Sequence, residues 1–97
     1  MKDVKYYTWD GRKGAKLKVE RGVAFEDIVF YIAQGQLLDI VEHPNQDKYA
    51  GQRMFIIEIN AYAYLVPFVE TEQEIFLKTI IPSRKATKRY LRGQQDE

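Results

Sequence analysis

The sequence lacks cysteine and has a single histidine among its 97 residues. These absences exclude disulfides and cysteine-based zinc sites, which stabilise many chains of this size. Hydrophobic runs are also short, and none approaches the roughly 18 residues that a membrane-spanning helix needs. Residues 1–8 carry charges at Lys2, Asp3 and Lys5 without an apolar stretch. We therefore expect no signal peptide and a cytoplasmic protein.

The composition is that of one small folded domain. Hydrophobic residues make up 45% of the chain and aromatic residues 13%, which is enough apolar surface for a core and excludes disorder over the full length. Two domains would each be close to the limit of about 40 residues below which chains seldom fold unaided. We predict one domain over residues 1–97, with residues 93–97 as a frayed tail.

The first third of the chain predicts a strand and two helices. Alternating β-branched and aromatic residues predict a strand over residues 4–9. Good helix formers predict a short exposed helix over residues 12–20 that ends near Gly22. Apolar residues at helical spacing predict a second helix, which begins at Ala24 and which Gly35 stops.

The rest of the chain is rich in short β-type runs, at residues 37–42, 54–59, 62–69 and 75–81. A long polar loop, residues 43–52, separates the first two runs, and Asn60 with Ala61 predicts a tight hairpin. Ser83 is a good N-cap for a basic terminal helix over residues 84–92. The sequence thus predicts an α+β fold: one strand, two helices, a four-stranded antiparallel meander and a basic helix, with the helices on one face of the sheet.

The net charge of +1 conceals a sorting of charge along the chain. Residues 11–21 and 75–92 are basic, whereas residues 22–74 are mainly acidic. If the two basic segments met on one face they would bind phosphate there, although two solvated helices explain the same pattern. The turn that carries Glu70, Glu72 and Glu74 would repel RNA, so we expect the active face to lie away from it.

Several kinds of active site have no support in the sequence. Gly11 and Gly14 fit neither the P-loop nor the dinucleotide pattern. The metal-ligating residues form no constellation, and we predict no metal and no cofactor. Ser83 is the only serine, it lies outside a nucleophile-elbow motif, and its capping role explains it. Metal-independent chemistry or binding alone remains.

RNA cleavage is a metal-independent reaction that this composition supports, because the 2′-OH of the RNA is the nucleophile. The protein must supply a base, an acid and cations that stabilise the phosphorane. His43, next to Glu42, is the candidate for proton transfer because histidine is the side-chain type suited to acid or base catalysis near neutral pH, although a loop histidine without a chemical role is the plainer interpretation. The candidate cations are Lys48, Arg53, Arg84, Lys85, Lys88 and Arg89. The basic helix could equally dock an acidic partner.

Further candidates carry smaller roles. Tyr49 and Tyr90 have polar neighbours and are candidates for stacking on RNA bases, although tyrosines of this kind also serve structural roles. Lys13 and Lys16 of the first basic segment are further candidates for RNA binding. Glu26 is a weaker candidate base, because the helix dipole already explains a carboxylate in the first turn of a helix.

Several segments in order resemble the BrnT toxins. These are Trp9-Asp10, residues 21–27 (RGVAFED), His43, Arg53 and residues 80–87 (IIPSRKAT) before a basic helix. The similarity covers residues 7–91, and the Ser-Arg-Lys-Ala-Thr stretch is its most specific part. BrnT toxins are the ribonuclease components of type II toxin-antitoxin modules, with a fold similar to the RelE and ParE toxins.

The resemblance implies an endoribonuclease that inhibits translation and is neutralised by a small ribbon-helix-helix antitoxin, which binds operator DNA. It assigns substrate binding and catalysis to His43, Arg53, Arg84 and Lys85. Two positions depart from the family: Glu20-Arg21 replaces a usual Lys-His pair, and Pro67-Phe68 stands where a histidine often occurs. The alternatives are a non-catalytic protein-binding module, such as a degenerate toxin, and a gyrase-directed toxin on the same fold.

Overall fold

A mixed β-sheet forms the centre of the computed structural model, which describes residues 5–92. The strands are β1 (Tyr6–Trp9), β2 (Leu37–Glu42), β3 (Arg53–Ile59), β4 (Tyr62–Glu70), β5 (Glu74–Leu77) and β6 (Ile81–Pro82). The helices are α1 (Gly11–Arg21), α2 (Phe25–Ala33) and α3, which has α geometry over Arg84–Thr87 and π geometry over Lys88–Arg92. This element order confirms the predicted α+β class.

The sheet has the strand order β1-β5-β4-β3-β2, and β6 pairs with β4. Strands β2 to β5 are antiparallel neighbours, as the predicted meander requires. Strand β1 lies parallel to β5, which makes the sheet mixed. The β2–β3 register shifts between Leu37 and Asp39, so β2 contains an irregularity at its start.

The prediction of one strand over residues 75–81 is wrong, because the ladder with β4 stops after Leu77. Pro67 explains the stop. Its carbonyl accepts a hydrogen bond from the Lys78 N–H at 2.8 Å, but proline has no N–H to donate in return. Ile80 is then fully buried, and pairing resumes at Ile81.

Local signals in the sequence explain the element ends. The Asp10 carboxylate accepts a hydrogen bond from the Arg12 N–H at 2.9 Å and caps α1. Gly22 ends α1 with φ of 74°, a left-handed conformation that glycine adopts without strain. Asn60 and Ala61, with φ of 54° and 65°, form the predicted hairpin turn.

Both faces of the sheet are covered by helices. One core cluster joins Leu17 of α1 and Phe25 of α2 to alternate residues of β3, such as Phe55. A second cluster joins Ala86 of α3 to Ile56, which points to the other side of β3. We call these sides the two-helix face and the α3 face.

The prediction that all helices lie on one face is therefore wrong. Residues 54–57 of β3 are all buried, so this strand is apolar on both sides and needs a cover on each. The basic residues of α1 and those of α3 consequently lie over opposite faces. Of the two interpretations of the charge pattern, a shared phosphate-binding face is therefore excluded for these segments.

Two predictions fall partly or wholly outside the described residues. These are the start of the first strand, at Val4, and the frayed tail over residues 93–97. Within residues 5–92, no helix has the length and apolar character to cross a membrane.

Candidate functional site

An open groove of about 390 Å³ runs along the α3 face, between α3 and the strands β2 to β4. Its floor is apolar and consists of Val41, Met54, Ile56, Leu65 and Ala86. The remaining lining residues are mostly polar or aromatic: Glu42, Pro44, Ser83, Lys85, Arg89 and Tyr90. Lys85 and Arg89 are exposed, so two cations border an apolar floor. Such a groove can bind an anion that carries a flat or apolar group.

The small residues of the Ser-Arg-Lys-Ala-Thr segment fix α3 to the sheet. The Ser83 hydroxyl oxygen accepts a hydrogen bond from the Ala86 N–H at 3.0 Å and caps the helix. Thr87, which is 1% exposed, donates to the Ser83 carbonyl and accepts from the Ala63 N–H, both at 2.8 Å. Three small residues thus hold the helix, and Arg84 and Lys85 remain exposed.

Four of the basic residues of α3 form two pairs on different sides of the helix. Lys85 and Arg89 line the groove. Arg84 and Lys88 line a second depression of about 410 Å³, together with Tyr62. The pairs arise because residues four apart lie on the same side of a helix.

The loop over residues 43–52 brings together three of the predicted candidates. The rings of His43 and Tyr49 lie with their centroids 4.2 Å apart, and the Lys48 ammonium lies 5.3 Å from the Tyr49 centroid. Nδ1 of His43 accepts a hydrogen bond from the Asn45 N–H at 3.1 Å. The neutral imidazole therefore carries its proton on Nε2, where it can donate a hydrogen bond.

Gln46 organises this loop, a role that the sequence analysis missed. Its side-chain nitrogen donates to the carbonyls of His43, at 2.7 Å, and Gln52, at 3.3 Å. Its side-chain oxygen accepts from the Gly51 N–H at 3.0 Å. A glutamine in a polar loop has no distinguishing sequence signal.

The loop borders the groove through Pro44.

Arg53 lies on the two-helix face, away from the groove. Its guanidinium donates to Oε1 of Glu70 and lies 5.3 Å from the centroid of the Phe68 ring. Oε2 of Glu70 accepts from the Lys5 ammonium at 2.7 Å. The hydrogen bond from Lys5 has the largest effect on the pKa of Glu70, and the bond from Arg53 adds to it. Together they hold this pKa below its usual range.

This contact joins the acidic turn to a predicted site residue. Glu70 contacts Arg53, but both lie on the two-helix face, away from the groove. The contact follows from the register: Phe68 is opposite Arg53, and Glu70 lies two residues further along β4 on the same face. Lys5 has no sequence signal for this role, since its partner Glu70 is distant in the chain.

Tyr90 fills a structural role at the groove. Its hydroxyl donates to the Asp39 carboxylate of β2 at 2.7 Å, and its ring lines the groove. The hydrogen bond lowers the pKa of Asp39 and raises the pKa of Tyr90. The Arg89 guanidinium lies 5.7 Å from the Tyr90 ring centroid. A base could stack only on the part of the ring that faces the groove.

The candidates on the first two helices lie over the two-helix face. Lys13 and Lys16 are exposed on α1, and the Lys16 ammonium is 3.9 Å from the Glu20 carboxylate. Glu26 is exposed in the first turn of α2 and lines a depression beside Trp9. None of these three lines the groove.

The four predicted catalytic residues therefore do not share one depression. Lys85 lines the groove, Arg84 the second depression, and Arg53 a third that it shares with Lys5 and Glu70. His43 lies in the loop that borders the groove. Within residues 5–92, histidines and carboxylates form no group of three or more that could hold a metal ion.

Comparison of the chain with protein-family models, with curated proteins and with solved structures found no match.

Proposed function

We propose that this chain is a cytoplasmic BrnT-type toxin with a RelE-like fold, which cuts RNA without a metal ion. The observation that carries the proposal is the groove on the α3 face. Lys85 and Arg89 border it on one side, and Pro44, next to His43, borders it on another. The fold supports the proposal only at the coarser level of its α+β class.

The groove residues suggest how RNA would bind. A phosphodiester would lie against Lys85 and Arg89, which compensate its charge, and a neighbouring base would cover the apolar floor beside Tyr90. Lys48 and Tyr49 of the loop would contact the RNA strand where the RNA leaves the groove. Arg84 and Lys88 would contact RNA on the other side of α3.

The proposed reaction is attack by the 2′-oxygen on phosphorus. The bond from phosphorus to the 5′-oxygen breaks, which leaves a 2′,3′-cyclic phosphate and a 5′-hydroxyl end. A water molecule would accept the 2′-OH proton, since Nδ1 of His43 already accepts a hydrogen bond and Nε2 carries the proton. Glu42 is paired with Arg53 in the β2–β3 ladder, so its carboxylate points to the two-helix face and is not the base. His43 would donate from Nε2 to the phosphorane, and water would protonate the leaving oxygen.

Cleavage of a labelled RNA in the presence of a chelator tests this proposal. The wild-type chain should give 2′,3′-cyclic phosphate ends, and a substrate with 2′-deoxyribose at the cut should resist. His43→Ala should lower the rate about 100-fold, as for loss of a hydrogen-bond donor to the phosphorane, and Lys85→Gln at least about tenfold. Lys13→Gln, on the opposite face, is the matched control and should cleave normally. Equal rates for Lys85→Gln and Lys13→Gln would contradict the proposed site.

Induction in cells tests the toxin role. Expression should arrest growth with rapid RNA decay, and co-expression of a ribbon-helix-helix antitoxin should restore growth. Arrest with intact RNA would instead support a target such as gyrase.

Binding without cleavage is the second candidate function. It is favoured by the pairing of Arg53 with Glu70 and by the separation of the predicted catalytic residues over both faces of the sheet. On this hypothesis, the purified chain should bind its partner or RNA and leave every phosphodiester intact.

A further inference from the structure

Glu70 bridges two cations from distant parts of the chain. Arg53 begins β3, and Lys5 directly precedes β1. Each of the two Glu70 carboxylate oxygens has its own donor: Arg53 at Oε1 and Lys5 at Oε2. A carboxylate held in this way occupies the position that two oxygens of a phosphate would take between a guanidinium and an ammonium group.

The surroundings of this cluster are open to solvent. Lys5, Arg53 and Glu70 line a shallow depression of about 600 Å³, together with Gly51 and Thr71. The Arg53 side chain is 46% exposed, and those of Lys5 and Glu70 are each 30% exposed. An incoming anion therefore meets no barrier from the rest of the fold.

The Phe68 ring keeps Arg53 in place independently of Glu70. The guanidinium lies 5.3 Å from the ring centroid, a distance at which cation–π attraction operates. Arg53 also begins β3 directly after Gln52, whose carbonyl accepts from the His43 N–H at 2.9 Å. The cluster thus adjoins the His43 loop on the side opposite the groove.

We propose that Lys5 and Arg53 form a phosphate-binding site, which Glu70 occupies until a phosphate group of the ligand replaces its carboxylate. The ligand phosphate is a backbone phosphate of RNA, and this identity rests on the proposed function, whereas the anion site itself does not. Glu70 is then a competitor that weakens RNA binding at Arg53.

Binding of a fluorescent single-stranded RNA and, separately, of inorganic phosphate tests the site in the intact chain without any readout of cleavage. Glu70→Gln should strengthen RNA binding about fivefold, since the variant no longer competes through an ion pair. It should also give detectable binding of inorganic phosphate. Adding Arg53→Gln to Glu70→Gln should abolish both gains.

Glu72→Gln is the matched control, because Glu72 lines the same depression and its loss changes the net charge equally. It should change RNA affinity less than about twofold, as expected for a screened surface charge. Equal gains from the two variants would show only a general charge effect and would overturn the proposal, as would no gain from Glu70→Gln.

Glu70→Asp keeps the test valid if the glutamine variant does not fold. The shorter carboxylate retains the charge but cannot span both cations, so RNA affinity should still rise. An unchanged affinity in this folded variant overturns the site. Cleavage can fail while phosphate binding succeeds, so failure of the enzymatic proposal is distinguishable from failure of this one.

Discussion

At the scale of single residues, the small side chains at the start of α3 do more for the fold than its basic ones. Ser83, Ala86 and Thr87 cap, pack and anchor the helix, whereas Arg84 and Lys85 are exposed. The residues that make the Ser-Arg-Lys-Ala-Thr segment recognisable therefore divide into a structural set and a set available for binding.

Thr87→Val should destabilise the protein by about 1 to 3 kcal/mol. The substitution keeps the shape but leaves the buried Ala63 N–H without its acceptor. Unfolding in urea measures the change. Thr71→Val is the control, since the Thr71 hydroxyl serves an exposed turn where water can replace it, and its loss should cost less. Equal losses would contradict the role given to Thr87.

Ala61→Gly should stabilise the protein by about 1 kcal/mol. Ala61 has φ of 65°, where an L-residue with a Cβ is strained, and Asn-Gly is a preferred pair for this hairpin turn. The same substitution at Ala15, exposed in α1, should instead destabilise by a similar amount because glycine disfavours helix. Thermal unfolding of the two variants should show shifts of opposite sign.

At the scale of elements, one hydrogen bond joins the end of α3 to an edge strand. The Tyr90 hydroxyl donates to Asp39 in β2. This hydrogen bond lowers the pKa of Asp39. The stability that the ionised Asp39 adds to the fold is therefore present above the unfolded-state pKa and is lost as the pH falls through the folded-state pKa. The same hydrogen bond raises the pKa of Tyr90. The stability that the protonated Tyr90 adds to the fold is therefore lost as the pH rises through the folded-state pKa.

Tyr90→Phe should therefore lower the Tm at pH 7 and lower it less near about pH 2, because the stabilisation from the lowered Asp39 pKa disappears as the pH falls. Scanning calorimetry of wild type and variant at both pH values measures the difference. Tyr6→Phe, at an exposed tyrosine in β1, should leave the Tm unchanged at both. A Tyr90→Phe effect of the same size at both pH values would contradict the hydrogen bond to a carboxylate.

At the scale of the whole molecule, the sheet separates two basic surfaces. Lys13 and Lys16 lie over the two-helix face, and Lys85 and Arg89 lie over the α3 face beside the groove. RNA bound in the groove would contact only the second surface directly.

Reversing both charges of one surface should distinguish these faces. Lys85→Glu with Arg89→Glu should weaken RNA binding at least about tenfold and reduce the magnitude of the salt slope by about 1.4, as for two lost phosphate contacts. Lys13→Glu with Lys16→Glu changes the net charge equally and should weaken binding less than about twofold. Fluorescence anisotropy across a salt series measures both, and equal effects would remove the groove from the binding site.

The sequence by itself determined most of the local structure. Asp10, Gly22, Asn60 and Ser83 act through their own backbone neighbourhoods, so their capping and turn roles are readable without the fold. The meander also follows from local information, because its strands are consecutive in the chain and joined by recognisable turns.

Only the tertiary structure decided which residues share a surface. Whether β3 is covered on one face or two depends on which elements pack against it. The β4–β5 ladder stops after Leu77 because Pro67 of β4 lacks an N–H. Glu70 meets Lys5 and Arg53 through strand pairing between residues far apart in the chain. Such contacts depend on register and on the choice of face, which no local pattern specifies.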